Sequence, residues 1–290
     1  MNVAEVLSTH FDPAASLNRP IMVLALRGWF DVSEVATTAV NELLLDRVAP
    51  VVAVIDPDPF FDFTQERPHV ELDDDEVRHV RWPTNEFRIA RFSEAAHDIV
   101  ALAGVEPHLR YATFADSVIA VAKEAKCELV VTLGAVADTI PHTRPPIVIG
   151  STTIRSLMGA HGLSPPRYQG MTGLVGVLQE RLDRAAVPGV SLRVSVPHYL
   201  GNAEHPQSSI ALLQHLHHVI GVPVRTARLA AEAARRRSLH DDAVAGDEQA
   251  SAYVAMLERE YDQRSEAAIP SADDLGADFE RFLRNRDEDG

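Results

Sequence analysis

The run Ile21-Met22-Val23-Leu24-Ala25-Leu26 holds six apolar residues in succession, and Arg27-Gly28-Trp29-Phe30-Asp31 follows it directly. A short continuous apolar run suits a strand buried on both faces, as in a parallel sheet covered by helices. Asp31-x-x-Glu34 then reads as a capping box. Val32, Val35, Ala36, Ala39, Val40, Leu43 and Leu44 fall at helical spacing behind it and form one wide apolar stripe. Val51 to Ile55 is a second apolar run, so the chain opens as a β-α-β unit.

The alternation continues outward from there. Ile99 to Ala103, Leu129 to Leu133 and Ile147 to Ile149 read as strands. His108 to Lys126, Met171 to Leu182 and Ser208 to Ile220 read as helices, the last stopped by Gly221. Val190 to Val196 alternates apolar and polar residues and is expected near a sheet edge. Between Pro57 and Phe92 the pattern breaks, and Val77 to Trp82 is expected to pair with Phe87 to Phe92 across a turn at Pro83-Thr84-Asn85. Strands alternating with helices set the class as α/β.

Strand signals stop at Arg225. Helices are expected near Thr226 to Arg237, Glu248 to Gln263 and Ala272 to Leu283, with a break at His240 to Asp247. The division that follows is an α/β core over residues 1–222 and an acidic helical extension over 223–290. Of the net charge of −15, residues 239–290 carry −10, from fifteen acids against five arginines. No basic footprint for nucleic acid exists. No apolar run approaches the roughly 20 residues that span a bilayer. One cysteine, Cys127, excludes an internal disulfide framework, and the start from Met1 to His10 lacks a basic leader region. The location expected is the cytoplasm.

The candidate chemistry is sparse. Gly170-x-x-Gly173-x-x-Gly176 enters a helix and offers Gly170 and Gly173 as phosphate contacts, but the spacing matches no dinucleotide or Walker loop. Asp56-Pro57-Asp58-Pro59 reads as a turn before it reads as a carboxylate pair. His215 and His218 share a helix face, yet a zinc site needs a third ligand that the sequence does not identify; no metal or cofactor is expected. Asp138, His142 and Arg144 lie on one loop after a strand, and with Arg27, Trp29, Asp31 and Glu106 they are the residues expected to line a polar pocket. No G-x-S-x-G elbow presents a serine, and Cys127 reads as a buried spectator.

Taken in order, several phrases resemble the proteasome assembly chaperone 2 family in its bacterial branch. They are Gly28-Trp29-Phe30-Asp31, Asp56-x-x-x-x-Phe61-Asp62-Phe63 with Arg67-Pro68, Gly104-Val105-Glu106-Pro107, Leu133-Gly134-Ala135, Pro141-His142-Thr143-Arg144, Gly170-x-x-Gly173 and Pro197-His198-Tyr199. The resemblance covers residues 20 to about 220. It implies a phosphorylase/hydrolase-like three-layer α/β/α sandwich with a small helical C-terminal region. It also implies self-association as a homotrimer, proteasome subunits as partners, and no catalytic role. Position 111 is tyrosine where many relatives carry tryptophan. The chain ends Arg286-Asp287-Glu288-Asp289-Gly290, without the hydrophobic–tyrosine–any-residue terminus by which some archaeal relatives engage proteasomes, so docking of that type is not expected. The function expected is a non-catalytic, oligomeric, chaperone-like binding protein. The alternative is a small-molecule binder or a hydrolase- or phosphorylase-like enzyme using the polar loops at strand ends.

Overall fold

The computed structural model describes residues 2–12, 16–159, 161–201 and 203–267. The expected helix at Ala272 to Leu283 lies outside them. The apolar run becomes a strand with six fully buried residues, and everything else is laid around it. In chain order the strands are β1 (Leu7–Thr9), β2 (Ile21–Arg27), β3 (Val51–Ile55), β4 (His69–Leu72), β5 (Arg78–Arg81) and β6 (Asn85–Ala90). They continue as β7 (Ile99–Val105), β8 (Leu129–Asp138), β9 (Val148–Thr152), β10 (Leu163–Ser164) and β11 (Gly189–Pro197). The helices are α1 (Val35–Leu44), α2 (Tyr111–Glu124), α3 (Leu174–Arg184), α4 (Pro206–Ile220), α5 (Ala227–Ala245) and α6 (Glu248–Ala267).

Nine strands form one sheet in the order β1-β3-β6-β7-β2-β8-β11-β9-β10. Its centre, β7-β2-β8-β11, is parallel, and β1, β3, β6 and β9 add antiparallel pairings around it. The side chains of α1, α4 and α5 pack on one face, where Val40, Leu43, Leu213, Leu216 and Leu229 meet the odd residues of β2. Those of α2 and α3 pack on the other, where Phe114, Val118, Leu174 and Leu178 meet the even ones. The result is a three-layer α/β/α fold, as expected. Both edges end on very short strands, β1 with three residues and β10 with two.

Four local expectations need correction. First, β2 and β3 run in the same direction with α1 between them, but β6 and β7 stand between the two strands in the sheet. Second, β5 does not pair with β6. It pairs with β4 in a separate ribbon, while β6 enters the main sheet between β3 and β7. The Pro83 turn therefore moves the chain from one sheet to the other. Third, β11 is no edge; it is flanked by β8 and β9. Fourth, α5 runs unbroken through His240 to Ala245, and the break falls at Gly246-Asp247.

Asp31 and Glu34 make no capping box. Ser33 and Glu34 both take left-handed backbone angles (φ 57° and 54°), so Glu34 makes no return bond. Asp31 caps α1 alone, accepting the amides of Ala36 (2.6 Å) and Thr37 (3.1 Å) and the Thr37 hydroxyl (2.6 Å).

Candidate functional site

The chain that leaves β2 enters α1 on one face of the sheet, and the chain that leaves its neighbour β7 enters α2 on the other. Where successive connections diverge in this way, a crevice opens beyond the carboxyl ends of the two strands. Here it is a cleft of about 1020 Å³. Arg27, Trp29, Asp31 and Glu106 all line it, joined by Glu34, Glu66, His108, Tyr111, Glu204, Arg228 and Glu232. Four of the seven expected pocket residues thus converge.

Each has a defined task. Arg27 pairs with Glu66 through Nη2–Oε1 at 2.5 Å, and that carboxylate raises the guanidinium further above its ordinary value. Burial pushes the Asp31 carboxyl up, against the pull of its Thr37 and amide bonds. Glu106 commits both oxygens to backbone: Oε2 accepts the Trp29 amide at 2.9 Å, and Oε1 accepts the Leu174 amide at 2.8 Å at the start of α3. Two glycines make room for this. A Cβ at Gly28 would stand 2.7 Å from Glu106 Cβ, and one at Gly173 would stand 2.5 Å from Glu106 Oε1. Gly173 therefore admits a carboxylate of the chain itself to the helix terminus, the place the glycine spacing suggested for phosphate. Gly170 faces the Tyr168 hydroxyl instead. Trp29 presents its indole outward, 65% exposed.

Asp138, His142 and Arg144 lie outside the cleft. Asp138 accepts the Ser195 hydroxyl at 2.8 Å and the Thr139 amide at 2.7 Å. His142 is held on both ring nitrogens. Tyr199 Oη accepts the His142 backbone amide at 2.7 Å, so its own proton goes to Nδ1 at 2.6 Å. That leaves Nε2–H to face Asp241 of α5 at 3.0 Å. Arg144 grips Asp262 of α6 through two 2.8 Å bonds and reaches Glu258 at 3.2 Å. Asp262 is the main cause of the raised Arg144 value, and Arg144 holds the Asp262 carboxyl below the usual range. Thr143 donates to Glu258 at 2.5 Å, and Tyr261 donates to the Pro145 carbonyl at 2.9 Å. The loop is thus a clamp on the C-terminal helices, which cover the core of their own subunit.

No activated nucleophile is assembled among the described residues. Ser208 is fully buried and donates to the Ser195 carbonyl, so the Nδ1 of His205 must be its donor at 2.8 Å rather than a base for it. Burial, with His240 and His142 nearby, pushes His205 down to about 4. Burial pushes the Cys127 thiol up to about 12, which keeps it unreactive. His215 and His218 share a face of α4 with ring centroids 6.3 Å apart, but no three His, Cys, Asp or Glu side chains among the described residues are placed to hold a metal. Asp56 accepts the Asp58 amide at 3.1 Å, the turn chemistry expected of it.

Sequence reasoning missed Glu34, Glu66 and Arg228 in the cleft. Glu66 comes from the irregular stretch before β4, and Arg228 from α5, where no periodic signal points to a site. Tyr199, Asp241, Glu258 and Asp262 were also missed, because their roles depend on contacts made 57 residues away in sequence for Tyr199 and 99 to 118 residues away for the other three.

Fold and site together define an α/β/α domain with a switch-point cleft and a clamped helical appendage. The PAC2 family profile matches residues 25–243, and the chain belongs to that family. It is similar to a PAC2 family protein from Streptomyces avermitilis, at 37% identity and a TM-score of 0.76 over 81% of this chain and 99% of that one. It is also similar to a proteasome-assembly chaperone homologue from Mycobacterium tuberculosis, at 33% identity and 0.73 over 81% and 99%. An archaeal proteasome activator from Pyrococcus furiosus shares the fold, at 16% identity and 0.64 over 82% and 97%. No functionally curated protein matches the chain. No helix among the described residues is long and apolar enough to cross a membrane.

Proposed function

We propose that this protein is a non-catalytic, chaperone-like binding protein of the cytoplasm that self-associates as a homotrimer and engages proteasome subunits. The likeness to the mycobacterial proteasome-assembly chaperone homologue, across nearly all of that chain, carries this reading. The side-chain chemistry agrees with it: the polar loop that a hydrolase would use is occupied in holding α5 and α6.

Self-association is supported by the ribbon of β4 and β5. Val70 and Val80 face each other on one side of it, and both are exposed with Leu72 and Trp82. A two-stranded ribbon is marginal by itself in water, and an apolar face of this kind calls for a cover. Native gels and light scattering of separated proteasome α and β subunits, assembled with and without the protein, test the proposal. A co-migrating intermediate or faster ring assembly is expected. Absence of both association and any change in assembly would reject it.

A further inference from the structure

Among its charged side chains the switch-point cleft is lined mainly by carboxylates. Six carboxylates line it against two guanidinium groups. Most are already engaged: Glu66 by Arg27, Glu106 and Asp31 by backbone amides, Glu204 and Glu232 by Arg236. Glu34 is the exception. It is exposed on the cleft wall, in the left-handed turn at Ser33-Glu34; among the described residues its side chain makes no direct pair, and Arg27, already paired with Glu66, acts on it only through its field. Arg27 and Arg228 are already paired, with Glu66 and Glu42, so an anionic ligand would meet net repulsion, and the helix terminus that could compensate it is filled by Glu106.

The rim is apolar. Trp29 stands beside Gly173, whose Cβ position is 3.3 Å from the indole. Tyr168 and Met171, on the loop leading into α3, are 70% and 86% exposed, and Leu109 beside His108 is 50% exposed. An indole face next to carboxylates favours a cation carried on an apolar stem.

We propose that this cleft is the docking site for a basic peptide segment of the partner, with an arginine or lysine side chain paired to Glu34 and stacked on Trp29, and its apolar neighbours on the rim. The partner's identity rests on the chaperone reading; the chemistry of the segment rests on the cleft. A volume of about 1020 Å³ accommodates several residues, not one side chain alone.

The test is fluorescence anisotropy of a dye-labelled Leu-Arg-Leu-Arg-Leu peptide with the full chain. The charge-reversed Leu-Glu-Leu-Glu-Leu and free arginine methyl ester serve as competitors. E34Q and W29A are expected to weaken binding about tenfold, the loss of roughly one charged contact. D74N, at the tip of the β4–β5 ribbon, removes the same charge elsewhere and is expected to leave binding unchanged. Equal weakening by D74N would reduce the effect to bulk attraction and overturn the proposal, as would no binding, or full binding by E34Q with its thermal transition intact. Competition by the free ester as strong as by unlabelled peptide would overturn the peptide assignment. Peptide binding without any effect on proteasome assembly would reject the chaperone reading alone.

Discussion

His205 stands at the start of α4, sealed between Ser208 and His240. Its folded value lies at about 4, against about 6.5 for a free histidine. Between those limits the unfolded chain binds a proton that the folded chain refuses. Stability therefore rises with pH there, and it is lost as pH falls from about 6.5 to about 4. The full difference is on the order of 3 kcal/mol. His240, also lowered by burial first and then by His142 and Arg236, adds in the same direction. Thermal melts across this window should show a falling transition temperature for the native chain and a flatter profile for H205N; parallel profiles would refute the assignment. At this scale the sequence was half informative. Arg27, Trp29, Asp31 and Glu106 could be located because they end or follow apolar runs, and strand ends are where clefts form. Glu34 could not, since its role comes from two consecutive left-handed residues that no propensity announces.

The loop from Pro141 to Pro145 joins the core to α5 and α6 through His142, Thr143 and Arg144. Partly exposed pairs of this kind each contribute about 1 kcal/mol or less, so their removal should loosen the helices without unfolding the sheet. For R144A the expectation is faster limited proteolysis near Gly246-Asp247, with the core fragment still resistant. Unchanged cleavage would mean that Leu229, Ala233 and Leu257 hold the appendage by packing alone. The helices themselves were legible from their apolar stripes. Their attachment was not, because His142 and Arg144 offer the same residue types to a ligand as to a neighbouring helix. The ribbon was misread for a related reason. The Pro83 turn is a real turn, but a local turn signal does not say which distant strand will be paired on either side of it. Asn85, buried with its Oδ1 accepting the Val105 amide at 3.0 Å, ties β6 to β7 instead.

Across the whole molecule the α/β class followed from the short apolar runs of β2, β7 and β8, the last broken only by Thr132, and their alternation with helical stripes. Strand order did not follow, since β3 and β11 are placed by pairings that the sequence does not encode locally. The proposed trimer makes a prediction at this scale. Leu72 and Val80 lie on the uncovered face of the β4–β5 ribbon, where two carboxylates would be costly to bury. Light scattering of the L72D/V80D double variant should give the monomer mass with an unchanged circular dichroism spectrum. A retained trimer would move the interface elsewhere. The blunt sheet edges bear on the same question. Filament growth by strand addition needs a long open ladder to copy, and strands of three and two residues provide almost none. In the proposed trimer the main sheet's edges therefore leave contact to side chains and to the short β4–β5 ribbon, which favours particles of fixed number over fibres of indefinite length.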